Sequence, residues 1–115
     1  MKENHYPSLP HHNLVAYQAA VELLVAVRDA RIRDAGLREQ ALKAAKSACL
    51  NVAEGAGRTS HADRKRVFGI ARGEAVETCA AVEIAGVLGA ASAVSVATCV
   101  RLGARLVALL NGLTR

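Results

Sequence analysis

The feature that most constrains this fold is the absence of proline from residues 11–115: the two prolines, Pro7 and Pro10, both stand near the N-terminus. Proline interrupts helices because it lacks a backbone N–H and clashes with the preceding turn. No stretch shows the sustained apolar–polar alternation that predicts a strand, whereas apolar residues recur at spacings of three and four. The chain is therefore predicted to be all-α.

The apolar residues are unusually small. Among 115 residues there are 24 Ala, 13 Val and 13 Leu, against three aromatic residues, Tyr6, Tyr17 and Phe68. The length is that of one domain. Small side chains bury little area each, and even a large apolar side chain contributes only about 1.5–3 kcal/mol on full burial. Such helices must pack closely, or share apolar surface with copies of the chain.

Caps and spacing predict four helices: 13–35 with Asn13 as N-cap and Gly36 closing it, 37–54, 60–88 opening at the capping box Ser60–Asp63, and 95–110. They should form an antiparallel up-down-up-down four-helix bundle over residues 13–115, preceded by a disordered or extended segment, 1–12. The turn between the second and third helices then lies at one end, and the other two turns lie at the opposite end.

Several residues suggest contact surfaces. Gly69 and Gly73 lie inside the third helix, where each costs about 1 kcal/mol relative to Ala. The close approach of another helix would compensate that cost. Leu50 falls in the polar face of the second helix and is predicted to be exposed. The narrow polar stripe of the first helix indicates burial on more than one side.

Residues 84–100 form a charge-free stretch of 17 residues. It is short for a membrane span, which needs about 20 apolar residues, and it contains glycine and polar residues. A helix end, a turn and a new helix are expected instead. The N-terminus has no apolar signal-peptide core, and Cys49, Cys79 and Cys99 are odd in number and far apart. We therefore expect a cytoplasmic protein with reduced core thiols and no membrane partner.

The stretch Asn51–Arg58 places polar side chains among small apolar residues. They are open to three interpretations: catalysis, a clamp on the turn, or a partner surface. The clamp is favoured, with Asn51 and Glu54 hydrogen-bonding the turn or a neighbouring helix and Gly55 and Gly57 giving a tight exit. Glu54 is disfavoured by the dipole at its helix end, which indicates a cationic partner.

Catalysis and metal binding find little support. No nucleophile–base pair or Glu-x-x-His metal pattern is visible, and the histidines lie outside helices or at a helix start. We therefore expect no catalytic residue, no metal, no cofactor and no enzymatic activity.

The net charge of +5 favours polyanions as partners. The candidate nucleic-acid-binding residues form two groups. The first, which we call the corner cluster, surrounds the start of the third helix, where free N–H groups attract anions, and comprises Arg58, His61, Arg64, Lys65 and Arg66. The second, which we call the loop arginines, lies at the opposite end of the bundle and comprises Arg28, Arg31, Arg33 and Arg38. With few aromatic residues for stacking, contacts should be mainly to phosphates.

Five blocks of residues carry a family resemblance: Leu14-x-x-Tyr17-Gln18-x-Ala20, Ser47-x-x-Leu50-Asn51-Val52-Ala53-Glu54-Gly55-x-Gly57-Arg58, Ser60-x-x-Asp63, Phe68-x-x-Ala71-x-Gly73 and Glu83-Ile84-Ala85-x-x-Leu88-Gly89. With them the chain resembles the four-helix bundle protein family named for proteins encoded in intervening sequences of bacterial 23S ribosomal RNA genes. That family includes the accessory variability determinant proteins of diversity-generating retroelements. The resemblance covers residues 12–105.

The resemblance implies a bacterial, cytoplasmic bundle that assembles as a ring-like homo-oligomer, a pentamer, with basic surfaces. In retroelement members these surfaces meet nucleic acid and a reverse transcriptase. The chain departs from the family pattern after Gly73, where Glu74 replaces a serine, and this weakens the transfer of a partner surface on the third helix. Two hypotheses follow: a non-enzymatic oligomeric accessory protein that binds RNA or DNA, or a protein–protein scaffold without nucleic-acid binding.

Overall fold

The computed structural model describes residues 8–115, which form four α-helices and no strand. The helices are α1 (Val15–Asp29), α2 (Ala35–Gly57), α3 (His61–Val87) and α4 (Ala93–Leu113). The prediction of an all-α chain with four helices is confirmed. Most of the segment expected to be disordered or extended, residues 1–12, lies outside the described residues.

Contacts between helices show the relative direction of neighbouring helices. Along α3 and α4, Arg72 Nε donates to Asn111 Oδ1 at 2.6 Å, and Gly86 lies against Val96. The two helices α3 and α4 are therefore antiparallel. The α1 helix packs against both α2 and α4, with Arg105 Nη1 3.5 Å from Glu22 Oε1. These contacts describe the antiparallel arrangement of a four-helix bundle.

The α1–α2 and α3–α4 loops meet at one end of the bundle. The backbone N–H of Arg33 donates to the carbonyl oxygen of Ala90 at 2.8 Å. This contact joins two loops that are far apart in sequence, and it confirms the predicted placement of the loops. The turn between α2 and α3, which we call the α2–α3 corner, therefore lies at the other end of the bundle.

Two predicted boundaries of α1 are wrong. The helix ends at Asp29 because Arg31 adopts a left-handed backbone conformation with φ of 49°. Asp34 then starts α2 by accepting a hydrogen bond from the Leu37 N–H at 2.9 Å, so Gly36 lies inside α2 rather than after α1. At the other end, Leu14 occupies the N-cap position and makes no side-chain cap, which removes Asn13 from that role.

Other helix ends agree more closely with expectation. Ser60 Oγ accepts from the Asp63 N–H at 3.1 Å, which confirms Ser60 as the cap of α3. The α2 helix continues three residues beyond the predicted Glu54, to Gly57. The α4 helix starts earlier than predicted because Ser92 Oγ caps it by accepting from the Ser95 N–H at 3.1 Å.

The core consists mainly of alanine and valine, with Phe68, Leu23, Ile32, Leu106 and Leu110 as its largest fully buried side chains. Close packing occurs where glycine faces a neighbouring helix. A Cβ at Gly55 would lie 2.7 Å from two ring atoms of Phe68. At Gly69 and Gly73, by contrast, a Cβ would meet no atom within 4 Å. Within the described chain, no other helix compensates the cost of these two glycines.

The charge-free stretch 84–100 contains the end of α3, a turn and the start of α4, as predicted. Within residues 8–115, α4 alone is long and apolar enough to cross a membrane by length and composition. Of the 18-residue stretch of α4 that meets this description, 22% is buried in the protein. In the bundle it packs against α1 and α3 and carries Arg101 and Arg105.

Candidate nucleic-acid interface

The α2–α3 corner is closed by ion pairs centred on Arg58. Its guanidinium binds Glu54 Oε2 on α2 and lies 3.2 Å from Asp63 Oδ2 on α3. Arg66 binds the other oxygen of Asp63 at 2.9 Å. All these side chains are at least one-third exposed, so solvent weakens each pair. Their combined effect is to hold Arg58 across the corner.

These contacts shift the ionisation of the groups involved. The hydrogen bond from Arg66 and the positive charge of Arg58 lower the pKa of Asp63. The hydrogen bond to Glu54, with the negative charge of Asp63, raises the pKa of Arg58. Both shifts favour the charged forms. Two of the candidate phosphate-binding cations, Arg58 and Arg66, are thus partly neutralised by carboxylates.

The predicted clamp residues do not all act on the corner. Asn51 Nδ2 donates to the carbonyl and hydroxyl oxygens of Ser47, at 2.9 and 3.2 Å, within α2. It therefore does not hold the turn or a neighbouring helix. Gly57 is exposed, and a Cβ there would meet nothing within 4 Å, so the tight exit does not depend on it. Glu54 holds the corner through Arg58, and Gly55 gives room for Phe68.

Three corner-cluster residues remain available to a ligand. His61, Arg64 and Lys65 are exposed, and within residues 8–115 their side chains make no hydrogen bond or ion pair. Residues three and four apart share a helix face, so the three side chains lie together on the first turn of α3. That turn also presents the positive end of the helix dipole. The cluster as a whole holds four permanent cations against the carboxylates of Glu54 and Asp63.

The loop arginines have different roles from one another. Arg28 pairs with the neighbouring Asp29 at 2.9 Å. Arg33 donates from its guanidinium to the Gly89 carbonyl, 56 positions away. Arg38 Nη1 donates to the Ile32 carbonyl at 2.9 Å. Arg31 is exposed and makes no side-chain hydrogen bond or ion pair in the described part of the chain.

The sequence analysis did not predict that Arg33 and Arg38 donate hydrogen bonds to backbone carbonyl oxygens of the loops. The contact between Arg33 and Gly89 joins loops that are distant in sequence, so no local pattern indicates it. Asp34 was a local signal in the sequence, because aspartate is a common N-cap residue. Its position indicated that α1 ends and the α1–α2 loop begins before residue 34. Both arginines still have unused N–H donors, because a guanidinium carries five.

The outer faces of α3 and α4 are apolar and exposed. Val76 and Val87 of α3 and Val94 of α4 are 48%, 85% and 77% exposed. The exposed small residues on the same two helices include Gly69, Gly73, Ala80, Ala97, Ala104 and Ala108. On α2, Leu50 is 70% exposed, as predicted. We refer to these exposed valines and small residues of α3 and α4 as the apolar face.

Residues 8–115 contain no group of three His, Cys, Asp or Glu side chains that could hold a metal ion. Burial raises the pKa of both Cys49 and Cys99 to about 11, and it also raises the pKa of Cys79. A thiol with a raised pKa holds its proton at neutral pH, which makes it a poor nucleophile.

One protein-family model matches residues 12–112, nearly the whole chain, and its description is 23S rRNA-intervening sequence protein. No curated protein matches the chain.

Proposed function

The chain belongs to the 23S rRNA-intervening sequence protein family, and from this premise we propose that it is a non-enzymatic, oligomeric accessory protein of the cytoplasm that binds nucleic acid. Binding occurs through basic surfaces and depends little on nucleotide sequence. The observation that carries this proposal is a group of exposed side chains on the first turn of α3 that make no hydrogen bond or ion pair within residues 8–115: His61, Arg64 and Lys65.

The arrangement favours contact with phosphates over contact with bases. Arg64 and Lys65 extend into solvent beside the free N–H groups of a helix start, a position that attracts anions. Base stacking needs exposed aromatic rings. Of the Tyr and Phe side chains in residues 8–115, Phe68 is buried and Tyr17 is half-buried against His11, with ring centroids 4.6 Å apart. Phosphate contacts position a nucleic acid without reading its sequence.

The apolar face supports assembly of identical copies. On α3, Gly69, Gly73, Val76, Ala80 and Val87 follow one row of alternating spacings of four and three, with Glu83 in the same row. On α4, Ala97, Ala104 and Ala108 form a similar row with Arg101. Such spacing suits a helix–helix seam, and small residues permit close approach. A second copy would compensate the cost of the two glycines.

The single charge in each row indicates how the copies meet. Glu83 and Arg101 are exposed, and neither makes an ion pair within residues 8–115. Placing α3 of one copy against α4 of the next would bring these opposite charges together. Such a head-to-tail contact generates a ring when its rotation closes. This arrangement supports the homo-oligomer, with the pentamer of the family resemblance as its expected size.

A charge exchange tests the assembly. Glu83→Arg alone and Arg101→Glu alone should each lower the molar mass measured by light scattering after size exclusion, because each places like charges together at the seam. The double variant should restore the mass of the wild-type particle. A double variant no larger than the single ones, or single variants of wild-type mass, would refute this contact.

Salt-dependent anisotropy of a labelled RNA hairpin and a DNA duplex tests nucleic-acid binding. On duplex DNA, the slope of log K against log salt should be about −0.9 per neutralised phosphate. Arg64→Ala with Lys65→Ala should reduce the slope by roughly two such contacts. The matched control is Lys43→Ala with Lys46→Ala, which removes two exposed charges from α2. Binding that ignores salt, or equal losses in both double variants, would refute the proposal.

The alternative function is a protein–protein scaffold that binds no nucleic acid. The observation that favours it is the exposed Leu50, which interrupts the polar face of α2 away from the apolar face. A scaffold would form a defined oligomer and leave the anisotropy of both labelled nucleic acids unchanged at low salt. The two functions therefore give opposite results in the same titration.

A further inference from the structure

Arg31 has an unusual backbone conformation. Arg31 has φ of 49° and is the one non-glycine residue in the described chain with a positive φ. It stands directly after the C-cap of α1. Glycine is the usual residue there, because a side chain strains the left-handed conformation. At the same end of the bundle, the equivalent position after α3 is Gly89, with φ of 73°.

The two loops thus meet the same backbone requirement with different residues. Gly89 satisfies it without strain, whereas Arg31 satisfies it at a cost in free energy. Nothing in the described chain uses the Arg31 side chain, which makes no hydrogen bond or ion pair there. Strained residues commonly occur at functional sites, where the side chain has a use that the fold does not require. The strain at Arg31 therefore favours a functional role for its side chain.

Arg31 lies on the rim of an open concavity of about 630 Å³ between the α1–α2 loop and the start of α2. Its floor is apolar, formed by Val27, Ile32 and Leu42, and its other lining residues are Arg28, Asp29, Arg33 and Arg38. Asp29 pairs with Arg28, and the nearby Asp34 is engaged as the cap of α2. Arg31, Arg33 and Arg38 have no acidic partner within 4.0 Å in the described chain.

Arg33 and Arg38 are held in place before any ligand arrives. One N–H of each guanidinium donates to a backbone carbonyl, that of Gly89 for Arg33 and that of Ile32 for Arg38. The remaining donors of each group make no other hydrogen bond within residues 8–115, and a fixed guanidinium loses less freedom on binding than a mobile one. Paired N–H donors fit the oxygen atoms of a phosphate. The apolar side chains of Val27, Ile32 and Leu42 line the concavity beside them.

We infer that this concavity, which we call the loop pocket, is a binding site for a phosphate group. Arg33 and Arg38 supply fixed donors, and Arg31 closes over the bound oxyanion from the rim. The phosphate comes either from a small molecule, such as inorganic phosphate or a nucleotide, or from a nucleic-acid backbone. The second source rests on the proposed function. The pocket lies at the opposite end of the bundle from the corner cluster, so the two sites can be tested separately.

Titration calorimetry with pyrophosphate and with a short RNA oligonucleotide, at constant ionic strength, tests the pocket. Arg31→Gly should weaken pyrophosphate binding about tenfold or more, as expected when a charge-assisted hydrogen bond is lost. The same variant should unfold at an unchanged or higher temperature, because glycine adopts this φ without strain. Lys46→Ala removes the same charge from the exposed side of α2 and should leave pyrophosphate affinity within about twofold.

The outcomes separate this inference from the proposed function. Weaker pyrophosphate binding by Arg31→Gly, with no RNA binding by the wild-type chain, supports the pocket with small phosphates as its source and overturns the proposed function. Weaker binding of both ligands supports the pocket with nucleic acid as its source. Unchanged pyrophosphate affinity in Arg31→Gly, absence of pyrophosphate binding by the wild-type chain, or an equal loss in Lys46→Ala overturns the pocket, whatever the RNA does.

Discussion

Replacement of Gly55 by alanine tests how the α2–α3 corner is built. A Cβ at this position would lie 2.7 Å from two atoms of the Phe68 ring and 3.3 Å from a third, whereas carbon atoms pack at about 3.5–4.0 Å. Phe68 is 1% exposed, so its ring cannot move into solvent without leaving the core. Overpacking of this kind costs about 1–3 kcal/mol. The higher helix propensity of alanine returns up to about 1 kcal/mol.

We therefore expect Gly55→Ala to lower the free energy of unfolding by up to about 2 kcal/mol, or the melting temperature by up to roughly 8 °C. The matched control is Gly57→Ala, two residues further along α2. A Cβ there meets nothing within 4 Å, and φ is not positive, so this variant should be neutral or more stable. Thermal unfolding followed by circular dichroism measures both variants.

The same clash should disappear when the ring is removed. In a Phe68→Leu background, Gly55→Ala should no longer destabilise, and the coupling between the two changes should reach about 2 kcal/mol. Gly55→Ala as stable as Gly57→Ala, or additive effects in the double variant, would refute the account of this corner.

Three further predictions concern ionisable groups. Glu54→Ala should lower the unfolding midpoint slightly, more at low salt than at high salt, without abolishing nucleic-acid binding; an unchanged midpoint at low salt would count against the ion pair across the corner. Arg66 lowers the pKa of Asp63 below its ordinary 3.8. The contribution of the Asp63 carboxylate to stability is therefore complete above pH 3.8 and is lost as pH falls through the lowered pKa. Acid unfolding of Asp63→Asn should accordingly depend less on pH below 3.8 than that of the wild type, and identical profiles would contradict this. Burial raises the pKa of Cys49 and Cys99 from 9.0 to about 11, so the contribution of these thiols to stability is complete below pH 9.0 and is lost as pH rises through about 11. In a pH titration of the unfolding midpoint, Cys49→Ala with Cys99→Ala should reduce this alkaline loss of stability. An unreduced loss would exclude the thiols as its cause.

The helices and their order could be predicted because their signals are local. Apolar spacing indicated four helices, Ser60 indicated the start of α3, and the polar neighbours of Leu50 indicated its exposure. The end of α1 was misplaced because apolar spacing continues through Ile32, which is buried although it lies in the loop. Periodicity reports burial, and it does not distinguish a helical residue from a buried loop residue.

The site was only partly predictable because ion pairing and loop contacts depend on the fold. Composition identified both groups of cations, and the carboxylates that neutralise part of the corner cluster were visible in the sequence. Nothing local indicated that Arg33 would bind the carbonyl of Gly89. The strain at Arg31 was likewise hidden, because it depends on where α1 ends.

The most direct test of the central proposal is light scattering on size-exclusion fractions of the protein, alone and mixed with structured RNA at low and moderate salt. The account predicts an oligomeric particle that gains the mass of RNA at about 50 mM salt and loses it at about 200 mM. A particle that never gains RNA mass would contradict nucleic-acid binding and leave the scaffold as the function. A monomer under all conditions would contradict assembly through the apolar face.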